Sequence, residues 1–154
     1  VTADVKACVA GLERLSKDMN HTMFRITGKA LDIVQAGGRS FAPIGTPGNT
    51  TAPPGTLKES ILTQGPRGAD GLFTGEVGPT TVYGRQRELG GHIFPKRAKA
   101  LRFVKFGDVV YTMHVYQKPE PYMKPGRTAS LRPIRDMAVE QVSKTIAGST
   151  ESEV

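Results

Sequence analysis

The stretch LRFVKFGDVVYTMHVY, residues 101–116, decides how the chain is built. Its two apolar-rich halves, 101–106 and 109–116, are separated only by Gly107 and Asp108, the spacing of a two-residue hairpin turn whose first position needs positive φ. Along the second half Val109, Tyr111, Met113 and Val115 share one face, and Val110, Thr112, His114 and Tyr116 share the other. Both faces carry apolar side chains, so the sequence predicts a cover on each side, either a helix or another subunit. A hairpin that needs helices over it implies an α+β protein. The expected fold is a small antiparallel sheet containing this hairpin, packed by a long N-terminal helix and a C-terminal helix.

The first of those helices is written upstream. Val5, Cys8, Val9, Leu12, Leu15, Met19, Met23, Ile26, Ala30, Leu31 and Val34 return at helical spacing, and Gly37-Gly38 reads as the stop. A helix over residues 5–34 runs on the order of 45 Å, more than a domain of this size needs, so part of its stripe is expected to meet another subunit. The last helix resumes from about Thr128 through Leu131, Ile134, Met137, Ala138, Gln141, Val142 and Ile146, with Pro133 tolerable only in its first turn. Residues 148–154 are small, polar and acidic and read as a flexible tail.

Between the helices the punctuation is dense. Residues 41–55 hold Pro43, Pro47, Pro53 and Pro54 with Gly45, Gly48 and Gly55, which predicts an extended loop ordered by a neighbouring subunit. Thr56 is placed to cap a short helix over 57–62, with Glu59 at the third helical position of a capping box and Gly65-Pro66-Arg67-Gly68 closing it. Residues 72–77 alternate as a strand that Gly78-Pro79 stops, and a second short helix is expected over 80–89, ended by Gly90-Gly91. Lys118-Pro119-Glu120-Pro121 breaks the sheet before the last helix.

With 154 residues and 38% hydrophobic content, one domain over residues 1–147 is the expectation. No apolar run is long enough for a membrane span, and the first residues lack a secretion-signal layout, which points to a soluble intracellular protein. The single cysteine, Cys8, falls in the apolar pattern of the first helix and reads as buried packing. The formal charge is +7, concentrated in Arg85, Arg87, Lys96, Arg97, Lys99, Arg102 and Lys105, against which that segment sets only Glu88. Such a field attracts phosphate or an acidic protein surface.

Footholds for catalysis are missing. His21, His92 and His114 fall on a helix, a loop and a strand with no metal-ligand spacing between them, so no metal or cofactor is expected. His92 reads as a turn residue and His114 as part of a sheet face. No serine lies in a G-x-S-x-G elbow, no phosphate-binding glycine loop appears, and the carboxylates are mostly single and scattered. These patterns argue against an enzyme. Nucleic-acid contact is a stronger candidate, since Tyr83, Phe94 and Phe103 are interleaved with the cations, and it would be salt-sensitive and sequence-independent.

Four segments in order carry a resemblance. They are Phe41-Ala42-Pro43-Ile44 continued by Gly55-Thr56-Leu57-Lys58-Glu59-Ser60-Ile61; Val77-Gly78-Pro79 leading through Tyr83 to Arg87-Glu88-Leu89-Gly90-Gly91; the run from Ile93 through Pro95-Lys96 and Lys99-Ala100-Leu101 to Phe103; and Lys118-Pro119-Glu120-Pro121-Tyr122-Met123-Lys124-Pro125. Together, over residues 42–146, they resemble the head–tail joining family of long-tailed double-stranded-DNA phages, also labelled neck, tail-completion or minor tail proteins. Two features depart from the family pattern: a longer, proline-richer loop between Pro43 and Gly55, and Gly126 where the pattern has alanine.

The resemblance implies a structural virion protein made in the host cytoplasm, a ring of identical subunits, sixfold, at the head–tail junction. Its implied partners are its own copies, head connector or stopper proteins, tail terminator or tail tube proteins, and the genome DNA passing through the channel. Pro43, Pro53, Pro54, Gly78, Pro79, Glu88, Gly90, Gly91, Pro119, Pro121, Tyr122 and Pro125 are the expected subunit or partner interface, because stiff prolines and tight glycine turns leave little entropy to lose on docking. The alternative is a free-standing basic protein that binds DNA without regard to sequence.

Overall fold

A computed structural model describes residues 2–45, 53–105 and 107–151. The order of elements is α1 (Thr2–Phe41), α2 (Thr56–Glu59), β1 (Ile61–Ala69), β2 (Leu72–Pro79), α3 (Gly84–Leu89), β3 (Gly91–Ile93), β4 (Leu101–Lys105), β5 (Asp108–Thr112), β6 (Val115–Gln117) and α4 (Met123–Glu151). The fold is α+β, with a long helix at each end and, among the described residues, three two-stranded sheets, β1-β2, β3-β6 and β4-β5. Where the sequence suggests one domain, the chain divides into two compact units, each assembled from separated segments.

The first unit takes residues 1–33, 63–76 and 130–154. Ile26 and Leu31 of α1 are buried there, and Phe24 meets Phe73 edge to face with ring centroids 5.7 Å apart. A β-carbon at Gly75 would lie 2.5 Å from a Leu31 methyl, so the β2 backbone sits directly on the helix. Buried hydroxyls are satisfied across the unit: Thr22 Oγ1 and Thr145 Oγ1 share a hydrogen bond of 2.8 Å, and Ser130 Oγ donates to the Ile33 carbonyl at 3.3 Å. Val5, Val9 and Leu12, the N-terminal part of the stripe, are exposed, and Cys8 is exposed with them, contrary to the buried role its pattern suggests.

The hairpin of β1 and β2 replaces an expected helix end. Gly65-Pro66-Arg67-Gly68 lies within β1, and the chain reverses at Asp70 (φ 52°) and Gly71 (φ 79°), the two positive values that a tight hairpin turn demands. Likewise α2 ends at Glu59 and Thr56 does not cap it. Gly55, at φ 89°, holds the cap position, and Thr56 Oγ1 donates backwards to the Pro53 carbonyl at 2.6 Å.

The second unit takes residues 34–62 and 77–129. Its core joins Ala42, Leu57, Ile61 and Tyr122, flanked by Val77 and Met123. The Ile61 carbonyl accepts from Gln35 Nε2 at 2.8 Å and Arg39 Nη2 at 3.0 Å, which ties the start of β1 to α1. Helix α1 does not stop at Gly37-Gly38 but runs on to Phe41. The glycines serve packing instead. A β-carbon at Gly38 would lie 2.8 Å from the Met123 sulfur, and one at Gly126 would lie 2.6 Å from the Gly37 carbonyl carbon and the Gly38 nitrogen. Three residues without side chains thus let the first turn of α4 touch the α1 backbone.

Helix α4 begins five residues earlier than the periodicity indicates. Pro125 occupies its first turn, where a missing N–H costs nothing, while Pro133 lies well inside the helix. The helix continues through Gly148 to Glu151, where the sequence suggests a flexible tail; residues 152–154 lie outside the described set. Helix α3 starts at Gly84, four residues later than expected. Pro47 and Gly48 of the long loop also fall outside the described residues.

The substitution Gly126→Ala should lower the urea midpoint by an amount equivalent to about 1–3 kcal/mol, the usual cost of forcing a methyl against unyielding backbone. Gly148→Ala, on the same helix with nothing within 4 Å of the added carbon, should leave stability unchanged or raise it slightly. Equal effects at the two sites would contradict the close approach of α4 to α1.

Candidate functional site

Two of the segments quoted for their resemblance dock onto each other. Helix α3 carries Glu88, whose Oε2 accepts the Tyr122 N–H at 2.6 Å and the Met123 N–H at 2.9 Å, while Oε1 accepts the Lys124 N–H at 3.0 Å. One carboxylate therefore satisfies three of the donors that the start of α4 leaves without intrahelical partners, at the end where the helix dipole favours negative charge. Burial works against the ionised form. The three backbone donors, helped by Lys124, outweigh it and hold the Glu88 carboxyl below its usual range.

Around this contact the strap over 118–122 is fastened at several points. Tyr122 is fully buried and its hydroxyl donates to the Gly84 carbonyl at 3.1 Å; burial, with the Glu88 charge and Tyr83 adding to it, pushes the phenol up to about 12. Glu120 donates its N–H to the Arg87 carbonyl at 2.8 Å and pairs its carboxylate with Arg87 at 3.2 Å. Gly90, at φ 66°, lies so near the Pro119 ring that a β-carbon would stand 2.7 Å from it. Gly91, at φ 123°, opens β3 beside the Gln86 amide.

The expected interface residues accordingly separate. Tyr122 is enclosed in its own unit and offers no surface, and Glu88, Gly90 and Gly91 are engaged within the chain, as is Arg87 of the basic set. Pro79 packs on Gly84, where a β-carbon would approach to 2.5 Å. Pro43, Gly78 and Pro125 are half-buried, and Pro53, Pro54, Pro119 and Pro121 are exposed. Of the basic set, Arg85, Lys96, Arg97, Lys99 and Arg102 are exposed, and among the described residues none of these five has an ion-pair partner. The Lys105 side chain lies outside the described set.

The hairpin pairs Leu101 with Thr112, Arg102 with Tyr111, Phe103 with Val110, Val104 with Val109 and Lys105 with Asp108. Asp108 is thus a strand residue, and the positive φ of the turn, 95°, belongs to Gly107. The second strand is not continuous. It breaks at Met113 and His114, and residues 115–117 leave to pair with β3, a strand with no expectation in the sequence. On one face Val109, Tyr111 and Met113 are exposed, the last two by 66% and 64%, so among the described residues no helix supplies the cover expected there, and another subunit is the expected alternative.

Beside that break, His92 is a strand residue opposite Tyr116 rather than a turn residue. His92, Phe94, His114 and Tyr116 form an exposed ring cluster, with the His92 and His114 centroids 4.7 Å apart and Phe94 stacked 5.0 Å from His114. Local spacing gave no hint of this grouping, because it joins residues across the β3-β6 pairing. Among the described residues no three histidine, cysteine or acidic side chains converge, and no helix is long and apolar enough to cross a membrane. An open depression on α4 is lined by Leu131, Arg132, Arg135 and Asp136, with Arg132 and Asp136 paired at 3.8 Å.

The chain matches no protein-family model, no curated protein and no solved structure.

Since Glu88 is more acidic in the folded chain than in the unfolded one, acidification protonates the unfolded state first. The stabilisation is complete above the ordinary carboxylate value of 4.5 and is lost as pH falls through the lower folded value. Glu88→Gln should therefore be less stable than the parent near neutrality by roughly 1 kcal/mol. Urea melts at stepwise lower pH should show that gap closing below about pH 4; a gap independent of pH would mean that the charge of Glu88 contributes nothing.

Proposed function

We propose that this chain is a structural, non-enzymatic subunit of the phage head–tail junction, one of a ring of identical copies that joins the head connector to the tail and leaves a channel for DNA. The observation that carries the reading is the bare face of the β4-β5 hairpin. A two-stranded ribbon is marginal in water by itself, yet this one presents Val109 and Tyr111 to solvent, with Met113 exposed just past its end. A partner that covered them would supply the missing face of the sheet. Val5, Val9 and Leu12 of α1 are exposed in the same way. Copies meeting head to tail through such unlike surfaces close into a ring when the rotation between neighbours allows it.

In this reading the exposed cations Lys96, Arg97, Lys99 and Arg102 meet an acidic surface of the adjoining ring, since a lumen lined with cations would retard the genome. The resemblance to head–tail joining proteins gives the reading its content, and the mutual docking of the segments around Glu88 and Tyr122 gives those motifs a structural reason to occur together. The same unpaired cations support the second reading, a basic protein that binds DNA irrespective of sequence.

Light scattering of the purified chain, alone and with head-connector or tail partners, followed by negative-stain class averages, separates the two. Rings or partner-dependent oligomers are expected. Reversal of Lys96, Arg97 and Lys99 to glutamate should weaken stacking on the partner while leaving the fold intact. A monomer that ignores both partners and binds DNA with steep salt dependence would overturn the ring in favour of the second reading.

A further inference from the structure

We infer that His92 and His114 form a two-imidazole binding site for a divalent transition-metal ion of the copper, nickel or zinc type. The two side chains come from residues 22 positions apart and meet because β6 pairs with β3. His92 stands opposite Tyr116, which makes His114 its diagonal neighbour on the same face of the ladder, a spacing that aromatic rings can span. The ring planes are inclined by only 22°, and the rings meet edge to edge, Nδ1 of His92 in direct contact with Nε2 of His114. The two nitrogens therefore face each other across the β3-β6 pairing.

A first-row ion bound by two imidazoles sits about 2.0–2.1 Å from each nitrogen and so holds the nitrogens roughly 3 Å apart. The nitrogens must separate and each ring must turn so that its in-plane lone pair meets the ion off the line between them, a movement that the exposure of both side chains allows. Imidazole suits these ions, and exposure of both histidines leaves the remaining coordination positions to water or to a donor from outside the chain. The surroundings favour this geometry. Phe94 stacks on His114, and Tyr116 lies against His92 with centroids 5.1 Å apart, so each ring is held from a second side. The backbone break between β5 and β6 is fixed locally as well, by Thr112 Oγ1 donating to the His114 carbonyl at 2.9 Å. It is this break that brings His114 to the β3-β6 ladder instead of leaving it in the β4-β5 hairpin.

The test uses the untagged full chain carrying Cys8→Ser, which removes the exposed thiol as a competing ligand. Titration with Ni²⁺ and with Cu²⁺ by calorimetry near neutrality should give one ion per chain, with Cu²⁺ the tighter. His92→Ala and His114→Ala should each weaken binding at least roughly tenfold, the loss that follows even from removing a group that only orients a ligand. His21→Ala, an exposed histidine on α1, should change nothing. Unchanged circular dichroism spectra and urea midpoints would establish that the variants are folded. Absence of binding by the folded parent, or affinity that survives both His92→Ala and His114→Ala, would overturn the site and leave the pair as a hydrogen-bonded contact.

Discussion

The second unit depends on one carboxylate. Helix α4 starts after a strap, residues 118–122, that carries two prolines and has no sheet to hold it, so its first N–H groups have no partner within the helix. Glu88 takes three of them. Because Glu88 and Gly84 are four residues apart, they lie on one face of α3, and the Gly84 carbonyl receives the Tyr122 hydroxyl. The short helix therefore grips the start of α4 by its backbone and by its first large side chain together. Tyr122 is driven into the core beside Ile61, and the strap above it follows, pinned by Arg87 and Gly90. Without the carboxylate the first N–H groups of α4 would have to turn to water, and the partly buried N–H groups of Tyr122 and Met123 reach it less readily than the exposed one of Lys124.

Close backbone approach is the second constraint, and it explains why local signals misread the end of α1. Glycine pairs usually terminate helices by adopting a left-handed conformation, but Gly37 and Gly38 stay helical. Tertiary contact decides the matter: the helix continues because Gly126 and Met123 rest on the surface that side chains would otherwise occupy. Gly126 stands where the resembled pattern carries alanine, and the departure has a physical meaning here. An alanine methyl would collide with the backbone of Gly37 and Gly38, so the glycine in α4 and the glycines in α1 belong to one solution.

Much of the frame was legible because it rests on periodicity. The apolar stripe of α1, the two strands around Gly107 and the course of α4 all appear in the spacing of residues such as Leu12, Ile26, Val110 and Ile134. What escaped depends on partners remote in sequence. Gly65-Pro66-Arg67-Gly68 has the composition of a turn, yet it lies inside β1 because Gly65 and Gly68 allow the β2 backbone to pass close by, and the reversal falls instead at Asp70-Gly71. β3 is three residues long and has no pattern of its own; it exists because residues 115–117 pair with it. Cys8 follows the helical stripe but lies on the part of it that the chain leaves bare. The histidine pair is invisible to spacing rules for the same reason as β3.

The motif residues and the exposed residues have different tasks, and the division bears on assembly. Glu88, Gly90 and Tyr122 act inside the second unit, so altering them would disturb any partner only through the fold. The candidates for direct contact are those that the fold leaves without cover or counter-charge: Tyr111 and Met113 on the hairpin, and Lys96, Arg97 and Lys99 on the segment before it. The apolar set loses water on association and supplies the non-directional attraction, while the cations, screened by salt and held on a segment without ladder pairing, select which surface may approach. Under the proposed ring reading these are separable properties: self-association would draw on the bare sheet face and stacking between unlike rings on charge, so salt should discriminate between contacts of the two kinds.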